Sequence, residues 1–280
     1  MNLALLFSLN VWWFFFSRKN IWCSNFPLFL CSVPGGKPFL EKFCEKSTYS
    51  EKDVCVYMKQ TMGALDYLHN EAKVVHLDLK PENLVLDSKA NVVKLIDFGC
   101  AQSIGSLRPR SHCYESTEFL PPELLTPNSQ KIGTHTDMWA FGVLLYVALS
   151  GLSPFLDDSQ DETNNNILRG DFSFPDEYFA KLSGDAKDLI GRILCVNTSS
   201  RASSKQCLEM PWFSLEASSN SRIPTTHLTT FVRRRKKKLN SITLLGITPS
   251  PTRSDGMPDS SFQPSSSNSR ILHHHKSPHY

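Results

Sequence analysis

Several kinds of signal are missing from this sequence of 280 residues. Beyond its N-terminus it has no long apolar run, which excludes a protein that spans a membrane several times. Its eight cysteines include no C-x-x-C pair and no zinc-binding pattern with histidine, so we expect free thiols in a reducing compartment. No internal repeat is visible. With 40% hydrophobic and 20% charged residues, the composition is typical of a globular chain and excludes a wholly disordered protein, a collagen and a coiled coil.

The small net charge of +3 conceals an uneven distribution of charge along the chain. Residues 214–280 contain 10 Lys and Arg but only 3 Asp and Glu, whereas residues 1–213 contain 20 and 24. A basic tail after an acidic body indicates acidic partners such as calmodulin, nucleic acid or anionic lipid, and charge alone does not choose among them.

Composition divides the chain into three segments. Residues 1–27 begin with an apolar, aromatic run at 1–16 that is too short for a membrane span and lacks the features of a signal peptide. This run is a signal anchor, a buried strand-like segment or a mis-spliced stretch, and the last interpretation is favoured. Residues 28–213 predict a compact, mainly helical domain. Residues 214–280 are rich in Ser, Thr and Pro and are expected to be mostly disordered.

Two helices are indicated clearly by the sequence. Ser50 and Asp53 form a capping-box pattern, and apolar residues then recur at helical spacing over 54–68. Residues 137–150 are apolar on every face and end at Gly151, which predicts a fully buried helix rather than a membrane span.

The strongest signal is a polar segment, His76-Leu77-Asp78-Leu79-Lys80-Pro81-Glu82-Asn83, followed 14 residues later by Asp97-Phe98-Gly99. Transfer of a phosphoryl group from ATP requires metal ions on the phosphates, a cation for the developing charge and a carboxylate that orients the attacking hydroxyl. One short loop that offers Asp, Lys and Asn can meet these needs if a second Asp approaches from another loop. The oxygen atoms of Asn and Asp are also ligands that Mg²⁺ prefers.

These two motifs together resemble the catalytic loop and the Mg²⁺ loop of eukaryotic protein kinases. Later motifs follow in the same order, since Pro121-Pro122-Glu123 resembles the family's Ala-Pro-Glu and residues 137–142 resemble its D-x-W-x-x-G helix. The pattern D-L-K-P-E-N is that of Ser/Thr kinases. Residues 150–163 and 171–179 are most similar to the calcium/calmodulin-kinase group, in particular to the Trio/kalirin, obscurin and myosin-light-chain-kinase domains.

The resemblance implies an α+β, protein-kinase-like fold that consists mainly of the α-helical C-lobe, with the hinge and a remnant N-lobe strand. It also implies ATP and Mg²⁺ as cofactors and a protein substrate. By the same resemblance, Asp78 and Lys80 are catalytic, and Asn83 and Asp97 hold the metal ion. The residues implied to bind the nucleotide are Val33, Lys80, Asn83, Val85 and Asp97.

Other residues receive structural roles from the resemblance. His76 and Phe98 are expected to stack in the core, and Asp137 is expected to hold the backbone of the catalytic loop. Arg201 is expected to pair with Glu123.

Two substitutions depart from the family pattern in ways that affect regulation and specificity. Leu77 stands in place of the Arg that normally pairs with a phosphate on the activation loop, so phosphorylation within residues 111–116 is predicted not to be the activating step. Lys37 stands where many relatives carry a Glu that holds a substrate arginine, whereas Glu82 retains part of a preference for basic peptides.

The upstream half of the ATP site is the larger departure. No Gly-rich loop and no V-A-I-K strand precede the catalytic loop, although such a loop covers the phosphates and such a lysine holds two of them. The favoured interpretation is a fragment of a larger Ser/Thr kinase that transfers the γ-phosphate of ATP to protein Ser/Thr. The alternative is a catalytically impaired pseudokinase lobe that acts as a protein-binding module.

Residues Phe231–Leu245 combine a run of basic residues with apolar anchors. Val232, Leu239 and Leu245 fall at positions 1, 8 and 14, a spacing that calmodulin can grip. Three interpretations stay open: calmodulin binding or intramolecular autoinhibition, a nuclear-import or nucleic-acid patch at Arg233–Lys238, and a solvated charge run. No strong nucleic-acid signal accompanies the segment. We expect a cytoplasmic protein, with nuclear import through the basic patch and membrane association or a signal anchor at 1–16 as less favoured alternatives.

Overall fold

The computed structural model describes residues 20–23, 26–29, 36–87, 89–108, 117–126, 131–214 and 219–244. The described residues up to Lys238 belong to one compact unit, and Leu239–Leu244 belong to a second. Within these ranges, no helix combines the length and the apolar character needed to cross a membrane.

The described residues are mainly helical. A π-helical turn at Tyr67–Ala72 continues the second helix, and short 3₁₀ turns lie at Pro81–Asn83 and Pro211–Phe213. The α-helices are α1 Phe39–Cys44, α2 Glu51–Asp66, α3 Pro122–Leu125, α4 Thr134–Ser150, α5 Gln160–Arg169, α6 Asp176–Phe179, α7 Gly184–Ile193, α8 Ser204–Leu208 and α9 Thr226–Leu244.

The described strands are short, and all of their pairings are antiparallel. They are β1 Asn20–Cys23, β2 Phe26–Phe29, β3 Lys37–Pro38, β4 Thr48–Ser50, β5 Val74–Val75, β6 Leu84–Asp87, β7 Val92–Leu95, β8 Gln102–Ser103 and β9 Arg222–Pro224. The pairs β1–β2, β4–β9 and β5–β8 form ribbons, and β3, β6 and β7 form a three-stranded sheet in that order. The segment that carries the polar motif lies between β5 and β6, and β7 leads directly to Asp97.

Helix α2 begins as the sequence predicts. The Ser50 hydroxyl accepts a hydrogen bond from the backbone N–H of Asp53 at 3.1 Å, and the Asp53 carboxylate accepts one from the backbone N–H of Ser50 at 2.8 Å. This capping box satisfies two N–H groups that the first helical turn leaves without partners. One face of α2 is buried in the core through Val54, Met58 and Leu65, which confirms the helical periodicity.

Helix α4 forms the centre of the core. Every residue from Thr136 to Ser150 is buried, and the helix packs against α2 and α7. It ends at Gly151, whose φ of +75° favours glycine and whose N–H donates to the Val147 carbonyl at 2.7 Å. The fully buried helix predicted over 137–150 is therefore confirmed. Asp137, in the first turn of α4, forms hydrogen bonds with the backbone of the polar motif.

Within the tail that was expected to be mostly disordered, residues 222–244 contain a strand and a helix. Strand β9 pairs with β4, and α9 buries Leu228 and Phe231 in the main core. The composition of 214–280 as a whole hides this short segment, because the apolar side chains that anchor it, Ile223, Leu228 and Phe231, are few. The folded unit thus extends beyond the domain end expected at residue 213.

The cysteines follow the expectation only in part. Cys44, Cys195 and Cys207 are free thiols. Cys100 is disulfide-bonded, so the expectation of free thiols is wrong for this residue. The reason is that a disulfide depends on tertiary proximity, which the spacing of cysteines along the chain does not show.

Candidate active site

The start of helix α4 holds the catalytic-loop segment, residues 76–83. Asp137, in the first turn of α4, accepts hydrogen bonds from the backbone N–H groups of His76 and Leu77, both at 2.8 Å. The Nε2 atom of His69 also lies 2.8 Å from the Asp137 carboxylate. These bonds confirm that Asp137 fixes the backbone of the loop.

Asp137 is a buried anion. It is 1% exposed, and burial by itself would raise the pKa of its carboxyl group. The hydrogen bond and charge of His69, and the backbone N–H of His76, outweigh burial and bring the pKa of Asp137 below its ordinary value. The loop is therefore anchored by charge-assisted hydrogen bonds, which are about twice as strong as neutral ones.

Leu77 has an unusual backbone and an apolar environment. Its φ of +64° lies in the left-handed region that non-glycine residues rarely adopt, and its N–H is held by Asp137. Its side chain is buried in a small cluster with Val75 and Ile132, separate from the main core. The prediction that phosphorylation within 111–116 does not activate the protein concerns residues outside those described.

His76 supports the loop as a neutral imidazole. Its Nδ1 atom accepts a hydrogen bond from the backbone N–H of Asp78 at 3.3 Å, which leaves Nε2–H to donate to the Ile96 carbonyl at 3.1 Å. Burial lowers the pKa of His76, which agrees with this uncharged tautomer. The ring of Phe98 meets His76 at 4.8 Å between centroids but at an angle of 68°, so the expected stacking is an edge contact instead.

The structure brings Asp78, Lys80 and Asn83 together. Lys80 Nζ lies 2.7 Å from Asp78 Oδ2, and the amide nitrogen of Asn83 donates to the same oxygen at 2.9 Å and to the Asp78 carbonyl at 2.8 Å. Burial raises the pKa of Asp78, although Lys80, His76 and Asn83 each oppose that rise. Both hydrogen bonds of Asn83 use its nitrogen, so its amide oxygen remains available to a cation.

Asp97 lies at an exposed turn beside this group. Its φ is +62°, and its Oδ1 atom accepts a hydrogen bond from the backbone N–H of Gly99 at 3.2 Å. A hydrogen bond of 2.9 Å from the Ile96 N–H to the Asn83 carbonyl holds the two segments together. No group of three or more His, Cys, Asp or Glu suitable for a metal occurs in the described ranges. A Mg²⁺ ion on Asn83 and Asp97 would therefore take its other ligands from phosphate and water.

Two further residues were expected at the nucleotide. Val85 is buried in β6, two residues after Asn83. Val33 lies outside the described residues, so its expected role stays a prediction.

A buried ion pair links Glu123, in helix α3, to Arg201. Arg201 donates to both carboxylate oxygens of Glu123, at 2.9 and 3.0 Å, and to the carbonyl of His135 at 2.7 Å. The guanidinium also lies 4.9 Å from the centre of the Trp139 ring. The predicted pairing of Arg201 with Glu123 is confirmed.

Sequence reasoning missed the residues that receive the basic segment of α9. Arg235 binds both carboxylate oxygens of Glu82, at 2.6 and 2.9 Å, and one of Glu118 at 2.9 Å. Arg234 also reaches Glu118, and Lys236 lies 2.9 Å from Glu41. The opposite net charges of residues 1–213 and 214–280 could have indicated such a contact. They do not show which residues form it. The interpretation of a solvated charge run is wrong for Arg235, which is buried, whereas the side chains of Arg234 and Lys236 remain about half exposed.

Comparison with known proteins agrees with this geometry. Residues 19–213 match the family model described as the protein kinase domain. The chain belongs to the protein kinase family. Its kinase domain is 38% identical over 190 residues to smooth-muscle myosin light chain kinase of Gallus gallus, covering 68% of this chain but 10% of that protein. It is 36% identical to myosin light chain kinase A of Dictyostelium discoideum, covering 73% of this chain and 68% of that one.

Solved kinase structures share the fold. A twitchin kinase fragment of C. elegans, titled an autoregulated protein kinase, superposes with a TM-score of 0.67 at 35% identity, covering 74% of this chain and 46% of that one. The autoinhibited serine kinase domain of titin gives 0.62 at 28% identity, covering 70% and 62%. These similarities confirm the protein-kinase-like fold and the likeness to myosin light chain kinases. The chain spans 10% and 30% of the length of the first two curated relatives.

Proposed function

We propose that this chain is the C-lobe of a Ser/Thr protein kinase that acts within a longer polypeptide and transfers the γ-phosphate of ATP to protein hydroxyl groups. The observation that carries the proposal is the carboxylate of Asp78, held by Lys80 and Asn83, in a loop that a backbone hydrogen bond from Ile96 to Asn83 joins to the segment of the exposed Asp97. A binding module has no need of all four groups in one place.

The donor set fits the two cofactors that the family implies. Bound ATP supplies the phosphoryl group, and Mg²⁺ neutralises charge on its phosphates. The available oxygen atoms of Asn83 and Asp97 suit a hard cation that keeps part of its water shell. Lys80 is the cation nearest to the catalytic carboxylate, at 2.7 Å.

The chain's own residues divide the remaining work. Asp78 orients the substrate hydroxyl and receives its proton, and the upward shift of its pKa makes it a better proton acceptor than an ordinary exposed carboxylate. Lys80, which pairs with Asp78, would neutralise the negative charge that develops on the transferred group. His76 and Asp137 do not touch the reactants, and they keep the loop in the geometry that the reaction needs.

Phosphotransfer by the complete natural polypeptide tests this function. We expect Asp97→Ala to abolish transfer of labelled phosphate to a basic peptide while the far-ultraviolet circular dichroism spectrum stays unchanged. Asp171→Asn, an exposed carboxylate remote from the catalytic loop in sequence, is the matched control and should retain activity. Equal activity of the parent and Asp97→Ala would show that Asp97 does not serve the reaction.

A non-catalytic binding module is the second candidate. An antibody against residues 157–180 distinguishes the two by the mass of the native polypeptide. A band well above 31.6 kDa supports the larger kinase, and a band at 31.6 kDa supports the binding module.

We also propose that helix α9 inhibits the kinase by covering its substrate side. Arg235 forms an ion pair with Glu82, which lies two residues after Lys80 in the catalytic loop. Leu228 and Phe231, also on α9, are buried. The twitchin kinase is described as autoregulated and the titin kinase domain as autoinhibited. Val232 packs against the core, which leaves it covered while α9 is docked.

Replacement of Arg234, Arg235 and Lys236 by Ala tests the inhibition. We expect the triple variant of the natural polypeptide to phosphorylate a peptide faster than the parent without added activator. Unchanged activity would refute inhibition by α9. If calcium-loaded calmodulin accelerates the parent to the level of the triple variant, and Val232→Asp prevents this, the calmodulin interpretation of the same segment is supported.

A further inference from the structure

We infer that the disulfide bond of Cys100 is a redox-sensitive device that fixes the position of the Mg²⁺ loop, residues 97–99. Cys100 follows this loop directly, and it is disulfide-bonded. The inference rests on the proposed function in taking Asp97 as a ligand of the metal ion, and it adds regulation of that site by thiol chemistry.

The bond occurs in a chain that also keeps thiols. Among the described residues, the cysteines at positions 44, 55, 195 and 207 carry no disulfide. The partner of Cys100 therefore lies outside the described side chains, and the remaining cysteines of the sequence are Cys23, Cys31 and Cys113. In a reducing compartment, which the spacing of the cysteines led us to expect, a disulfide is usually transient and senses redox state.

The chain that follows Cys100 is anchored by bonds that do not depend on the disulfide. Gln102, in β8, pairs with Val75 of β5. The Gln102 side chain also exchanges two hydrogen bonds with the backbone of Arg108, both at 2.8 Å. The segment is therefore fixed from residue 102 onward, whatever the redox state of Cys100.

The Mg²⁺ loop itself is held less firmly. The hydrogen bonds described for residues 97–99 stay local, because Asp97 accepts from the N–H of Gly99 at 3.2 Å and Phe98 accepts from the N–H of Ala101 at 3.1 Å. Asp97 is exposed and has a φ of +62°. A covalent bond at the next residue thus restricts a loop that its own hydrogen bonds do not tie to other segments.

Apolar packing gives Cys100 a fixed surface on the catalytic loop. The residue is partly buried and packs against the cluster of Val75, Leu77 and Ile132. Leu77 carries no charge, so this surface offers no cation to a phosphate group. Because Cys100 is only partly buried, a small thiol or disulfide in solution has access to it.

The redox step is thiol–disulfide exchange with a small disulfide such as oxidised glutathione. In the reduced chain, the Cys100 thiol loses its proton, and the thiolate attacks one sulfur of oxidised glutathione and releases a glutathione thiolate. The thiolate of the partner cysteine then attacks the Cys100 sulfur and releases the second glutathione thiolate. Two protein thiols are thus oxidised to one disulfide, and one oxidised glutathione is reduced to two glutathione molecules.

Amide hydrogen exchange on the full chain tests whether the bond holds the loop. We expect reduction of the parent by dithiothreitol to speed exchange in residues 98–101 by about tenfold or more, because the reduced loop loses a covalent constraint. Cys100→Ser should exchange at the rate of the reduced parent, with or without dithiothreitol. Cys195→Ser, at a free thiol, is the matched control and should keep the response of the parent. No change on reduction of the parent, or an equal response in Cys100→Ser, would overturn the inference.

Equilibration in glutathione buffers tests whether the bond is reversible. The full chain is held at increasing ratios of reduced to oxidised glutathione, free thiols are blocked with iodoacetamide, and peptides are identified by mass. We expect Cys100 to change reversibly from the disulfide to the alkylated thiol across the series. A bond that persists at the most reducing ratio, or a thiol that persists at the most oxidising one, would overturn the inference. Neither measurement follows phosphotransfer, so failure of the inference and failure of the proposed kinase activity are distinguishable.

Discussion

Asp137→Asn removes the charge that holds the catalytic loop. The native carboxylate accepts three hydrogen bonds, from the N–H groups of His76 and Leu77 and from His69. The amide has one accepting oxygen, so its NH₂ group must face a buried donor. Hydrogen bonds to charged groups contribute about 1.5–3 kcal/mol each, and an unsatisfied buried donor costs about 1–3 kcal/mol. We expect a loss of about 3–5 kcal/mol, a large part of the roughly 5–15 kcal/mol that stabilises a domain.

Urea unfolding followed by tryptophan fluorescence measures this loss, because Trp139 and Trp212 are buried in the core. Asp171→Asn, on an exposed carboxylate, is the control and should change the free energy of unfolding by less than about 0.5 kcal/mol. A loss below about 1 kcal/mol in Asp137→Asn would refute the reasoning that the three bonds are charge-assisted.

The pH dependence gives the same prediction a second readout. Because the pKa of Asp137 is lowered by folding, its stabilisation is present above the unfolded pKa of about 3.9 and is lost as pH falls through the lower folded value. We expect the difference in unfolding free energy between parent and Asp137→Asn to shrink below about pH 4. A difference that stays constant down to pH 2 would contradict the assignment of Asp137 as a buried anion.

Two further outcomes follow from the packing. In Gly151→Ala the new Cβ would lie 2.3 Å from the backbone nitrogen of Leu228, and φ is +75°, so we expect destabilisation by more than about 1–2 kcal/mol in urea and faster amide exchange at the start of α9. Gly191→Ala is the control, because an added Cβ there meets no described atom within 4 Å, and it should stabilise the helix by about 0.5–1 kcal/mol. Burial raises the pKa of Cys207 to about 12, so peptide mapping should find it unmodified by iodoacetamide at pH 8 until the chain is unfolded. Modification of native Cys207 at the rate of an unfolded control would show that it is accessible.

Features that depend on neighbouring residues could be predicted before the structure was considered. The Ser50–Asp53 capping box, the buried helix α4 and the grouping of Asp78, Lys80 and Asn83 all join residues a few positions apart. Their geometry follows from the spacing of these residues along the sequence, which is the same before and after folding. The roles of Asp137 and Arg201 were available only through the resemblance, since their partners lie 61 and 78 positions away.

What the sequence determined by itself is the position of two polar motifs, at residues 76–83 and 97–99, and the presence of a basic segment after an acidic body. Only the tertiary structure decided that this segment is ordered and where its charges lie. Arg235 meets Glu82 and Glu118 across 153 and 117 positions of sequence. Such a pairing depends on how α9 packs through Leu228 and Phe231. Packing between segments that are distant in sequence produces no periodic pattern in the residues that meet, so the sequence alone does not reveal it.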